Sequence, residues 1–198
     1  MSAQPLVLHN DVAAAAFYAS VLAWLAVEIG MRVRSRRSSQ KRTSPDWSMF
    51  LIWGVIAVSW IGGYVVTRLR ITPLPGGPLW PLVLGLTLIW GGILLRGWAI
   101  VTLGRFFKLV VVIQDDHRVI EHGPYRWLRH PSYLGATITL LGIGVAGGTW
   151  LGAIIMLCGP LAAFAVRIRV EERALLLALG DDYAAYARQT ARLIPGLY

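Results

Sequence analysis

Cysteine is nearly absent from this chain of 198 residues: Cys158 stands alone in an apolar run. A disulfide framework within the chain is thereby excluded, and so is any cysteine-based zinc or iron–sulfur cluster. Charge is also scarce. Only 15% of the residues are Asp, Glu, Lys or Arg, against 56% hydrophobic. A soluble domain usually carries nearer a quarter charged residues, so this much apolar surface requires lipid as solvent. No Walker loop, G-x-S-x-G or H-E-x-x-H pattern occurs, and no G-x-G-x-x-G follows a strand. These absences argue against a soluble nucleotide-binding or Rossmann-type domain. The N-terminus lacks a basic n-region and an A-x-A cleavage pattern, so its first apolar stretch is expected to be a retained helix.

What is present is a set of long apolar runs. They extend from about Val12 to Met31, from Trp47 to Val66, from Leu79 to Gly97 and from Ser132 to Val166. The last is long enough for two helices, and Gly147-Gly148-Thr149 interrupts it, which predicts a helical hairpin with a tight turn. A re-entrant hairpin is the rival reading. Pro160 falls within the fifth helix, where it should bend it. The sequence therefore reads as an all-α polytopic membrane protein of about five transmembrane helices. Residues 1–103 form three helices; residues 104–198 form a core of connector, helical hairpin and cytoplasmic C-terminal helices.

The net charge of +9 suggests nucleic acid until the charges are placed. With Arg96 set aside, 16 of the Lys and Arg residues lie in segments 32–46, 104–131 and 167–198, and only Arg68 and Arg70 lie on the opposite side. The positive-inside rule then puts the N-terminus outside and the C-terminus in the cytoplasm of a plasma membrane. Orientation explains the basic residues, so no nucleic-acid partner is expected. Arg96, near the end of the third span, is expected to snorkel to the headgroups.

Two cytoplasmic segments carry the remaining polar chemistry. In the first, Lys108–Ile113 and Arg118–Glu121 are β-rich runs about a polar turn, suggesting a small hairpin or lid. Gly123-Pro124 is a turn, Tyr125–His130 a short interfacial helix, and Pro131 suits the first turn of the fourth helix. Gly135 lets a ligand or another helix approach closely. In the second, Arg167 and Glu171 are four apart and Arg169 and Glu172 three apart, so each pair shares a helix face. Gly180 should end that helix, and Asp181 or Asp182 should cap a shorter one running to about Ile194. A solvated helix face explains the Arg/Glu pairs equally well, and interfacial anchoring explains Tyr125, Trp127 and Tyr133. His117, His122 and His130 lack metal-ligand spacing, so no metal is expected.

The run Gly123-Pro-Tyr-Arg-Trp-Leu-Arg-His-Pro-Ser-Tyr-Leu-Gly135 resembles the G-P-Y-x-x-x-R-H-P-x-Y-x-G motif of isoprenylcysteine carboxyl methyltransferases and related phospholipid methyltransferases. Arg167-Ile-x-x-Glu-Glu172, Leu179-Gly180, Tyr183, Tyr186 and Arg192-Leu-Ile-Pro195 resemble that family's C-terminal pattern. The likeness covers about residues 104–198, and the compact length is similar to prokaryotic members. It implies an integral membrane enzyme using S-adenosylmethionine and releasing S-adenosylhomocysteine. It implies that His130, Pro131, Tyr133, Gly135, Glu171 and Glu172 line the cofactor pocket, with Gln114, His117, Gly123, Pro124 and Tyr125 at its rim. Arg167 would face the methyl acceptor, Arg129 would take the cofactor carboxylate, and Glu171 and Glu172 its positive groups. The expected acceptor is a prenylated or lipid-like carboxylate. A phospholipid amine and a non-catalytic scaffold are the alternatives. The sequence does not choose an oligomeric state.

Overall fold

A computed structural model describes residues 5–36, 47–104 and 119–194. Among the described residues there are six α-helices: α1 (Asp11–Arg36), α2 (Trp47–Leu69), α3 (Leu79–Leu103), α4 (Pro131–Ala146), α5 (Trp150–Leu179) and α6 (Asp181–Gln189). Short 3₁₀ turns lie at Leu6–Leu8 and Gly123–Arg126. The bundle is an all-helical membrane fold. Among the described residues, α1, α2, α3 and α5 are long and apolar enough to cross a membrane. At 16 residues, α4 rises about 24 Å, short of the ~30 Å hydrocarbon core.

Local signals set the helix ends. Asn10 accepts from the Ala13 amide at 2.9 Å and starts α1. Thr149 accepts from the Gly152 amide and starts α5. Pro131 occupies the first turn of α4, as expected. Gly104 and Gly180, at φ +53 and +54, close α3 and α5 in a backbone conformation that suits glycine. The Gly147–Thr149 break falls where the sequence put it, with Gly148 at φ +71. Its backbone pairs with the α2–α3 turn: Leu74 N–H donates to Gly148 O and Trp150 N–H to Thr72 O, each at 2.9 Å. Both turns therefore sit at one end of the bundle.

Glycines build the α3–α4 contact beside an aliphatic and aromatic core. α3 packs most extensively on α4, α2 on α5, and α1 on α3. A Cβ placed on Gly92 would collide with Thr139 Oγ1 and Gly135 O, and one on Gly85 would come within 2.7 Å of Gly142 O. Backbones this close gain dispersion that larger side chains would forbid. Large apolar side chains face outward instead, among them Val58, Leu94 and Val101.

Four expectations need correction, the first being the cap of α6: Gly180 occupies that position with no side-chain cap bond, and Asp181 and Asp182 lie inside the first turn. Arg96 does not snorkel: it is 6% exposed, its Nε lies 2.6 Å from Glu28 Oε1, and it donates to the Ser132 carbonyl and hydroxyl at 2.9 Å. Burial makes a paired carboxylate within the bundle a better partner than distant headgroups. α6 ends at Gln189 rather than near Ile194, because residues 191 and 192 pair with residues 127–130 just before α4. The Tyr125–His130 helix is only the 3₁₀ turn Gly123–Arg126, for the same reason. Gln114, His117 and the expected hairpin up to residue 118 lie outside the described residues.

Candidate active site

The two motif segments meet at the end of the bundle opposite the paired turns. Glu172, on the seventh turn of α5, is the hub. Its Oε1 takes Arg129 Nε at 2.8 Å and lies 3.3 Å from His130 Nε2, while Oε2 takes Arg192 Nε at 2.9 Å. Arg129 also donates through its Nη1 to the carbonyls of Ala187 and Thr190. These are charge-assisted bonds, among the stronger kinds available to a side chain. Backbone bonds reinforce them: Arg129 N–H to Ala191 O, His130 N–H to Arg192 O, and Ala191 N–H to Trp127 O. The parallel bridge Leu128–Ala191 results. Tyr186 completes the closure by donating to the Tyr125 carbonyl at 2.8 Å. Burial pushes the Tyr186 phenol up to about 12, against the pull of Thr190 and Arg129, so it stays a donor at ordinary pH. Burial likewise raises Tyr125 well above its ordinary value.

A second strand of polar contacts runs from this knot into the bundle. Tyr133 donates to Glu171 Oε2 at 3.0 Å and is itself hydrogen-bonded by Arg167. Arg167 is 1% exposed and donates to Ser48 Oγ on α2 at 2.6 Å. Phe164 packs on the Tyr133 ring. The ladder Ser48–Arg167–Tyr133–Glu171 thus joins α2, α4 and α5. An apolar cleft of about 380 Å3 lies between α1 and α2, lined by residues including Val21, Trp24, Trp53 and Trp60.

The structure brings together Arg129, His130, Tyr133, Arg167, Glu171 and Glu172. It places the others differently. Arg129, though part of the cluster, is already engaged by Glu172 and by the carbonyls of Ala187 and Thr190, not free for a cofactor carboxylate. Pro124 and Pro131 are fully buried. A Cβ on Gly123 would come within 3.0 Å of Thr102, and one on Gly135 within 2.8 Å of backbone atoms of α3. So the approach Gly135 permits is that of a helix. Sequence reasoning missed Glu28, Ser48 and Ser132. A lone acidic residue in an apolar span was the available signal for Glu28; the two serines carry none.

A polytopic membrane bundle with a buried ionic knot at one end is the class these contacts define. Residues 83–177 match the model of the isoprenylcysteine carboxyl methyltransferase (ICMT) family, and over this region the chain is similar to that family. Protein-S-isoprenylcysteine O-methyltransferase B of Arabidopsis thaliana is 35% identical over 124 residues, covering 56% of this chain and 57% of the relative. The Homo sapiens protein-S-isoprenylcysteine O-methyltransferase is 30% identical over 129 residues, covering 59% and 42%. The solved eukaryotic intramembrane Ras methyltransferase ICMT superposes with a TM-score of 0.60 at 27% identity, over 79% of this chain and 55% of that one. The chain therefore spans little more than half the length of these plant and structural relatives.

Proposed function

We propose that this protein is an integral membrane S-adenosylmethionine-dependent methyltransferase acting on the carboxylate of an isoprenylcysteine or similar lipid-like acceptor. The observation that carries the reading is the ladder from Ser48 through Arg167 and Tyr133 to Glu171. It links the apolar interior of the bundle to the ionic knot, so two ligands from different solvents could meet along it. The naming of the relatives supports the reaction type.

The residues present fit the cofactor. Glu171 is half-buried beside the knot and offers a carboxylate to a sulfonium or amino group; the buried Tyr183 hydroxyl has no hydrogen-bond partner. With His130 and Tyr133 these groups would hold S-adenosylmethionine, which when bound supplies an activated methyl group. Gln114 and His117 would complete the rim. Arg167 would orient one oxygen of the acceptor carboxylate and leave the other to react. A carboxylate is ionised at neutral pH, so no general base is required; alignment and exclusion of water are the protein's task. Because Arg167 is buried, the acceptor would reach it from between the helices, with its tail in apolar surroundings such as the α1–α2 cleft. We place the knot on the cytoplasmic face of the plasma membrane and the N-terminus outside, with residues 104–198 as the catalytic core.

Two measurements test this. Purified protein titrated with S-adenosylhomocysteine should bind in the micromolar range. Labelled methyl groups should pass to prenylcysteine carboxylates in preference to fatty acids or phospholipid amines. Absence of both binding and transfer in a folded sample would refute the proposal, and transfer to a phospholipid amine alone would change the acceptor.

A further inference from the structure

Two tyrosines face the knot from α6, three residues apart and therefore on one side of the helix. Their rings lie 6.0 Å apart, and both are buried, Tyr183 at 4% exposure and Tyr186 at 7%. They differ in what their hydroxyls do. Tyr186 donates to the Tyr125 carbonyl and so closes α6 onto the 3₁₀ turn. The Tyr183 hydroxyl is buried without a hydrogen-bond partner. Buried polar groups are overwhelmingly paired, and an exception calls for an explanation. Phenylalanine would fill the same volume without that penalty, so packing alone does not account for the oxygen at this position.

The surroundings of the hydroxyl narrow what it could serve. The charges of Glu172, Glu171 and Arg129 all act on it, and burial, the largest influence, raises its pKa far above the ordinary value. It is therefore a neutral donor at every working pH. Beside two carboxylates, an anionic acceptor would be repelled. An uncharged acceptor atom would not.

We propose that Tyr183 is a ligand-contacting residue of the cofactor site, its hydroxyl donating to an uncharged oxygen or nitrogen of the adenosyl group. This rests on the methyltransferase reading above and adds a residue that the motif chemistry does not assign. It also gives α6 a role: the segment closed onto residues 125–129 by Tyr186 and Arg129 would carry a contact to the ligand.

The experiment uses the full chain in detergent, with S-adenosylhomocysteine as the probe. Tyr183→Phe is expected to weaken calorimetric affinity about tenfold, while the melting temperature without ligand stays unchanged or rises. Tyr186→Phe is the comparison, expected to lower the ligand-free melting temperature because it strands a buried carbonyl. Equal affinity in Tyr183→Phe and the wild type would overturn the inference and assign the hydroxyl to a trapped water. A ligand-free destabilisation matching that of Tyr186→Phe would overturn it in favour of a structural role. No binding to the wild type would instead refute the cofactor reading itself.

Discussion

Replacing Glu172 with Gln tests the organisation of the knot most directly. The carboxylate is shared by Arg129, Arg192 and His130, but not equally. The Arg129 and Glu172 side chains are 11% and 9% exposed, whereas Arg192 is 36% exposed. Removing one partner of a buried pair costs about 3–5 kcal/mol, because the other charge stays buried and uncompensated. The Gln oxygen can still accept one bond, so the lower end, about 3 kcal/mol, applies. The exposed Arg192 pair is screened and is worth about 0.5–1 kcal/mol. The loss should appear as local opening, since Glu172 is the carboxylate that joins Arg129 and His130 to Arg192 across the two segments. At 1.36 kcal/mol per tenfold, hydrogen exchange at the Ala191, Arg129 and His130 amides should accelerate about 150-fold in Glu172→Gln. Arg192→Gln should accelerate it only about two- to fivefold. If the two variants behave alike, or if Glu172→Gln changes exchange by less than about fivefold, the reasoning that burial concentrates the energy in the Arg129 pair is wrong.

Other consequences are open to the same kind of check. Glu28→Gln and Arg96→Gln should each lower stability by about 3 kcal/mol, seen as a fall of roughly 6–12 °C in Tm; Glu28→Met with Arg96→Met should recover most of it, and simple addition of the two losses would contradict the pairing. Gly92→Ala should force α3 and α4 apart and abolish a well-folded yield, while Gly91→Ala, whose Cβ meets nothing within 4 Å, should be neutral or slightly stabilising in the same thermal assay. Gly180→Ala places a side chain at φ +54 and should cost about 1–3 kcal/mol, read as faster tryptic cleavage at Arg188. Reporter fusions after Ala146 should read outside and fusions after Gly180 inside; one side for both would make α4–α5 re-entrant.

Much of the helical frame was legible because its signals are local. An apolar run long enough to span, a Gly-Gly-Thr break and a glycine after Leu179 act over a few residues, and each predicted an observed helix limit. What failed depended on partners distant in sequence. Arg96 looks like a helix-end cation until Glu28, 68 positions earlier, is brought beside it. The C-terminal helix stops early because residues 127–130 draw Ala191 and Arg192 into backbone pairing, and no propensity at Thr190 or Ala191 announces that. Within the site, the spacing of Arg167 and Glu171 did foretell a shared face: both reach Tyr133. The matching expectation for Arg169 and Glu172 did not hold, since Arg169 is exposed and the Glu172 partners come from the start of α4 and from the C-terminal segment. Spacing fixes the face of a helix and leaves open which segment packs against it.

The two buried arginines of the bundle show how structure and proposed chemistry divide. Both stand inside a membrane fold, where an uncompensated guanidinium is costly. Arg96 is met by a carboxylate on α1 and by Ser132 on α4, so its charge is neutralised in place and its bonds tie three helices together. Such a pair serves specificity of packing and gives a ligand no reason to displace it. Arg167 counts two neutral hydroxyls, Ser48 and Tyr133, among its partners. A hydroxyl satisfies a donor without cancelling its charge. An arriving carboxylate could therefore outcompete such a hydroxyl, gaining the bidentate ion pair that the hydroxyl cannot offer. On this argument Arg96 should tolerate replacement by an apolar residue when Glu28 is replaced with it. If the proposed role of Arg167 is right, no companion change should restore acceptor methylation to Arg167→Met, because there the charge itself would be what the acceptor recognises.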